Sequence, residues 1–239
     1  MKKLLLLIPT LLLGCSHPLP TPGTLTPQSL TTTTPHHVSY QYLLYLPPNY
    51  NPHQSYPLVL FLHGVGERGT DVSKVAAWGP PKLIAAGQQF NFILAAPQCP
   101  DHQWWHIDDL EVLLSSLLHD YPNIDHSRLY LTGLSMGGCA TYDWILRDPH
   151  TFAAAAPICG SSNPTQVHYT SPLTPIWAFH GEADPVIPPD GSRLMVAAYL
   201  HDHAEAKLTL YPHLGHNAWT PAYNTPELYT WLLSHHLPH

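Results

Sequence analysis

Charge is what this chain has least of. Only 10% of its 239 residues are Asp, Glu, Lys or Arg, well below the usual quarter. Lys and Arg number nine and form no cluster, so there is no basic footprint for nucleic acid. No apolar run reaches the ~18 residues of a membrane-spanning helix. No internal repeat is visible, and nothing resembles the propeller that limits access in oligopeptidases. The zinc motif H-E-x-x-H is missing, and the pair His201 and His203 has no third ligand in sequence. No metal and no cofactor is expected. What remains is enough for one domain: 44% of residues are apolar, which argues against disorder beyond the ends. Histidine takes the place of the missing charge. There are 19, and the formal charge of −7 with all of them neutral reverses sign in mildly acidic solution.

The first residues read as an export signal. Lys2 and Lys3 precede "LLLLIPTLLL", flanked as in a signal peptide. Leu12-Leu13-Gly14-Cys15 resembles the bacterial lipobox, which implies cleavage after residue 14 and lipidation of Cys15. Ser16, rather than aspartate, follows the cysteine. The resemblance thus implies a cell-envelope lipoprotein, exported and held at the outer membrane or facing the periplasm. The Pro- and Thr-rich stretch to residue 37 reads as a tether, with the folded domain at 38–239. Cys99, Cys139 and Cys159 remain, an odd number. A Cys99–Cys159 bridge is an open possibility, and Cys139 reads as a small core residue.

Short β-rich runs fill the domain: 38–47, 57–64, 92–97, 128–133, 152–158, 175–181 and 207–212. Helical segments alternate with them, at about 72–87, 108–120, 136–148, 190–203 and 225–236. In the second, Asp108 is the expected cap of an apolar face at Leu110, Leu113, Leu114, Leu117 and Leu118. Strands continuous in Val, Ile and Leu, alternating with helices, predict an α/β fold. Its sheet is mostly parallel and covered on both faces. In such a sheet the residues just after each strand carry the chemistry.

Four strand ends carry complementary parts. Gly133-Leu134-Ser135-Met136-Gly137 puts a serine at a strand-to-helix turn, where strain and small neighbours expose a nucleophile. His63-Gly64-Val65-Gly66 offers backbone N–H groups for an oxyanion hole, with Val65 and Met136 as the two donors and His63 as a brace. Asp184 follows the strand at 175–181 and suits the orienting acid, with Glu182 the fallback and Asp190 the cap of the next helix. His216 follows the last strand and fits a general base better than His213. The chain order Ser, Asp, His is that of α/β-hydrolases.

These residues carry a wider resemblance. "LFLHGVGERGTD", "APQCP", "LYLTGLSMGG", "PIWAFHGEADPVIP" and "GHNAWTPAYNTPELYTWLLSH" are similar to bacterial carboxylesterases, also labelled predicted peptidases, of the phospholipase/carboxylesterase type. They sit in the dienelactone-hydrolase and feruloyl-esterase branch of the α/β-hydrolase superfamily, and the likeness spans roughly 38–236. It implies a nucleophile at Ser135, an acid at Asp184 and a base at His216. Cys139, Ala140 and Ser161 depart from the family pattern around the acyl pocket.

Between Ile158 and Thr174 there is room only for a short excursion, so no large lid is expected. Trp104, Trp105, Trp219 and Tyr223 stand on loops at the expected active face, either to stack on an aromatic or sugar group or simply to wall the pocket. The leading reading is a serine carboxylesterase acting on short-chain, aryl or sugar esters, free or polymer-borne. The alternatives are a serine peptidase of the prolyl-oligopeptidase-like type and a non-catalytic binding lipoprotein.

Overall fold

The computed structural model describes residues 20–33, 37–171 and 173–238. The segment read as a signal peptide, with Cys15 and the lipobox-like motif, lies outside the described residues. Eight strands form one sheet: β1 (Leu25–Thr32), β2 (Val38–Tyr45), β3 (Tyr56–Leu62), β4 (Ile93–Pro97), β5 (Ile124–Leu134), β6 (Ala154–Ile158), β7 (Ile176–Gly181) and β8 (Ala206–Tyr211). Their spatial order is β1-β2-β4-β3-β5-β6-β7-β8. The β1–β2 and β2–β4 pairings are antiparallel, and all the others are parallel.

β3 shows why the sheet is buried on both sides. Leu58, Leu60 and Leu62 enter one core, while Val59 and Phe61 enter the other. The first core takes α2 (Ile107–Asp120), α3 (Met136–Arg147) and α4 (Asp190–His201); the second takes α1 (Gly79–Ala85), α5 (Trp219–Tyr223) and α6 (Pro226–Leu233). On α2 the buried residues are Leu110, Leu113, Leu114 and Leu117, each worth roughly 1.5–3 kcal/mol of apolar burial. The expected cap differs. His106 occupies the cap position without a side-chain bond, and Asp108 lies inside the helix, where it pairs with Arg147. The predicted 72–87 helix is split into a 3-10 turn at Val72–Ala77 and α1, because Pro80 and Pro81 can only start a helix.

One reading needs correction. The segment taken as a free tether is folded from Leu25 to Thr32, paired along its whole length with β2, from Leu25 against Tyr45 to Thr32 against Val38. Gly23 N–H also donates to Leu46 O at 2.8 Å. The folded unit therefore begins before residue 38. β1 is an edge strand held by its backbone, and only Gln28 among its residues is fully buried. Such a strand needs few apolar side chains and tolerates Pro27, which is exposed here, so its composition imitates a linker.

Between β6 and β7 the described residues form only a 3-10 turn, Pro164–Tyr169, in keeping with the absence of a large lid. The cysteines at 99, 139 and 159 are free. Cys99 follows β4 and Cys159 follows β6, with β3 and β5 between them in the sheet. Three strand spacings, about 14 Å, are more than twice what a disulfide spans.

Candidate active site

β5 delivers Ser135 directly into α3. The serine itself takes the turn, at φ 54 and ψ −115, a conformation that costs of order 1–3 kcal/mol in a non-glycine residue. Its neighbours must be glycine. A Cβ on Gly137 would lie 2.0 Å from Leu62 O, and one on Gly133 would lie 2.4 Å from Gly137 O. The strand, turn and helix are thus pressed against the end of β3. Ser135 N–H donates to Ile158 O at 2.9 Å, tying the turn to β6 as well.

The end of β3 holds the second part. Gly64 caps a 3-10 turn, Val65–Glu67, and its N–H donates to Glu67 Oε2 at 3.1 Å. Burial raises the pKa of Glu67, partly offset by that bond. An ideal Cβ on Gly64 would sit 3.6 Å from Ser135 Cβ, so this loop lies against the serine. Val65 and Met136 each open a helical turn, where the N–H has no intrahelical acceptor. The α3 dipole adds its positive end at Met136.

His63 is a buried brace. Its Nε2 accepts from Cys99 N–H at 2.9 Å, so its Nδ1 carries the proton and donates to Gly64 O at 2.6 Å. Burial pushes its pKa down from 6.5 to about 4, keeping the ring neutral. Trp105 Nε1–H donates to His63 O at 3.1 Å, and the two rings lie 4.8 Å apart.

The third and fourth parts meet over the serine. His216 Nε2 is 2.8 Å from Ser135 Oγ, and His216 Nδ1 is 2.7 Å from Asp184 Oδ2. Because the carboxylate accepts at Nδ1, the free lone pair of a neutral ring faces the serine hydroxyl. Asp184 Oδ1 accepts from Val186 N–H at 2.8 Å and Ile187 N–H at 3.1 Å. Burial acts to raise the Asp184 pKa, but the bonds from His216, Val186 and Ile187 outweigh it and hold the carboxyl below its ordinary value. Glu182 is not the acid: it is exposed and paired with Arg193 at 3.2 Å. His213 is an exposed turn residue.

A residue that sequence reasoning missed stands behind the acid. His180 Nε2 lies 3.2 Å from Asp184 Oδ2 and 2.9 Å from Ile187 O, both acceptors, so it carries a proton. His180 Nδ1 is 2.8 Å from Ser192 Oγ, which is 3.1 Å from Gly160 O. The acid is therefore anchored through His180 to α4 and to the end of β6. The signal was in sequence, four residues before Asp184, hidden among 19 histidines.

The four aromatic candidates part company. Trp104 is 61% exposed, and Gln103 O beside it accepts from Arg68, tying that segment to the oxyanion loop. Trp219 stands edge-on to His216 with ring centres 5.2 Å apart. Trp105 is buried under His63. Tyr223 is buried in the core, with its hydroxyl donating to Thr132 Oγ1 at 2.9 Å. Trp105 and Tyr223 therefore have no surface to offer a substrate. Cys139 is half-buried on α3, its Sγ accepting from Ser161 N–H at 3.4 Å.

Known proteins share this arrangement of elements. A solved thermostable esterase superposes with a TM-score of 0.76 at 32% identity, covering 89% of this chain and 63% of its own. A ferulic acid esterase from Anaeromyces mucronatus gives 0.66 at 14% identity, a likeness of fold, over 89% of this chain and 90% of its own. By sequence, Probable feruloyl esterase C of Aspergillus oryzae is 28% identical over 155 residues, 63% of this chain and 57% of that protein. Bifunctional acetylxylan esterase/xylanase XynS20E of Neocallimastix patriciarum is 28% identical over 156 residues, 60% of this chain and 21% of that protein. The match thus spans little more than half the length of the Aspergillus protein. The model of the Dienelactone hydrolase family matches residues 106–225, half of the chain, a span that contains Ser135, Asp184 and His216. On that match, the chain belongs to the dienelactone hydrolase family.

Proposed function

We propose that this protein is a serine carboxylesterase with Ser135 as nucleophile, His216 as general base and acid, and Asp184 as the orienting carboxylate. The observation that carries the reading is the continuous chain Ser135 Oγ, His216, Asp184, bonded at 2.8 and 2.7 Å with the serine on a strained turn. His216 Nε2 takes the hydroxyl proton as Oγ attacks the ester carbonyl. The N–H groups of Val65 and Met136 receive the developing oxyanion, each worth roughly 3–4 kcal/mol of barrier. Collapse of the tetrahedral adduct passes the proton from His216 to the leaving alkoxide, releasing alcohol and leaving an acyl-serine. Water, deprotonated by His216, then releases the acid and restores the hydroxyl.

The substrate reading is an exposed ester of aryl or sugar type, such as a feruloyl or acetyl group on a polysaccharide. It is supported by the esterase relatives and by the exposed apolar side chains of Val65, Trp104 and Val186. These stand beside the oxyanion loop, after β4 and after Asp184. Export and lipidation at Cys15 complete the reading, with the enzyme held at the cell envelope. Intact-mass measurement of mature protein should show a diacyl or triacyl cysteine; an unmodified Cys15 would remove the anchor.

The activity is tested with p-nitrophenyl acetate and butyrate and methyl ferulate against a panel of short peptides. Ester cleavage that vanishes in Ser135→Ala is expected. Amide cleavage outpacing ester cleavage would make the protein a peptidase, and turnover unchanged in Ser135→Ala would leave it a binding protein.

A further inference from the structure

Apart from the triad, a second group of histidines and a carboxylate converges. His168 sits on the 3-10 turn Pro164–Tyr169, and His201 and Asp202 sit at the end of α4. His168 Nδ1 lies 2.7 Å from Asp202 Oδ2 and 3.0 Å from Oδ1. His201 Nδ1 lies 2.8 Å from Asp202 Oδ1. All three residues place a ligand atom within 4.8 Å of the others. In sequence, His201-x-His203 lacked a third ligand; the fold brings His168 from 34 residues before Asp202.

We propose that His168, His201 and Asp202 form a surface site for one divalent transition metal of borderline softness, with zinc as the natural probe. Two imidazole nitrogens and one carboxylate oxygen are a common zinc donor set. Donors around tetrahedral zinc are about 3.4 Å apart for bonds near 2.1 Å, so each needs to move by less than about an ångström. Both imidazole side chains are open to water, at 46% and 77% exposure, so each neutral ring can carry its proton on Nε2 and present Nδ1 to the metal. The protons move between ring nitrogens through solvent, and no further base is required. The Asp202 carboxylate then supplies a negative charge opposite the cation. The negative end of the α4 dipole adds to it, since His201 is the last helical residue and Asp202 its cap. A cleft of about 530 Å³, lined by His168, Thr170, Ser171, Leu173, Asp202 and His203, adjoins the site and admits water to the remaining coordination position.

A second cluster, Cys159 with His180 and Asp184, does not compete for this role. Its members are buried, and Asp184 and His180 already spend their polar atoms on each other, His216, Ile187 and Ser192. The surface site differs because, among the described residues, its donor atoms bond one another and lie on exposed or half-exposed side chains. Its consequence is mechanical. The metal would staple the excursion between β6 and β7 to the end of α4, where one carboxylate now holds both rings.

The test is a zinc titration of the untagged protein by calorimetry and thermal melting, with Co²⁺ absorption as a coordination readout. One saturable zinc per chain is expected, with a melting midpoint raised by about 5–10 °C when free zinc is ~100-fold above Kd. The variants His168→Ala and Asp202→Asn should weaken binding by about a hundredfold and abolish the Co²⁺ band. His119→Ala and His236→Ala, exposed histidines elsewhere, control for scattered binding. Mg²⁺ should give no shift. Zinc binding that is unsaturable, or equally affected by the control variants, would overturn the site; so would full retention in His168→Ala. Every variant lies on the surface, and circular dichroism without metal verifies that each is folded.

Discussion

Two histidine–aspartate pairs in this molecule have the same length and opposite settings. His216 Nδ1 meets Asp184 Oδ2 at 2.7 Å, and His168 Nδ1 meets Asp202 Oδ2 at 2.7 Å. The first carboxylate is fully shielded from water and gathers two backbone N–H groups and His180 besides. The second is on the surface with a further histidine on the same carboxylate. Distance alone therefore does not make a catalytic dyad. What separates the pairs is the group beyond the ring: a strained serine hydroxyl in one case, an open site for a cation in the other.

The largest break comes from the serine. Ser135→Ala should reduce ester kcat by about 10⁵-fold or more with KM little changed, measured in pre-steady-state and steady-state assays. Asp184→Asn comes next, at roughly 10³–10⁴-fold in kcat, since the amide no longer selects the correct tautomer of His216. His180→Ala should lower kcat by about 10–100-fold with KM unchanged, through the lost support of Asp184; a KM effect alone would argue against that role. Buried His63 predicts a pH dependence in urea melts. Its folded pKa is depressed from 6.5 to about 4, so between those values the unfolded chain binds the extra proton. Stability is thus full above pH 6.5 and falls as pH drops towards 4, by of order 3 kcal/mol, a slope that His63→Asn should flatten. The smallest effect sharpens the contrast most: Asp202→Asn should leave ester turnover within about twofold and stability within about 0.5 kcal/mol.

The parts of the site that sequence made legible are those the backbone encodes. Gly133 and Gly137 are demanded by contacts under 2.5 Å, so the serine motif is visible as spacing. Asp184 follows β7, whose apolar run is unmistakable because it is buried on both faces. His216 follows the edge strand β8, which is legible through its alternation of Leu208 and Leu210 with polar residues. β1 escaped because an edge strand is held by main-chain bonds that any sequence can make. Tyr223 and Trp105 misled for a related reason. A loop position suggests exposure, but whether an aromatic ring turns inward depends on a distant partner, here Thr132 and His63. His180 and His168 were invisible for the same reason, since each owes its meaning to residues remote in sequence.

Pairing also gives β1 a direction. Leu25 is matched with Tyr45, and Tyr45 with Leu94 near the beginning of β4. The strand therefore enters from the pole where the parallel strands begin, and Ser135 stands at the pole where they end. Gly23 is already bonded to Leu46, so only residues 16–22 separate Cys15 from the folded unit. That is a leash of about 25 Å at full stretch, where a tether to residue 37 would have had about three times the reach. With Cys15 acylated as proposed, the lipid pulls on the far side of the body from the nucleophile. The enzyme would ride low on the membrane with its working face turned outward, towards polymers that approach the cell and away from the lipids beneath it.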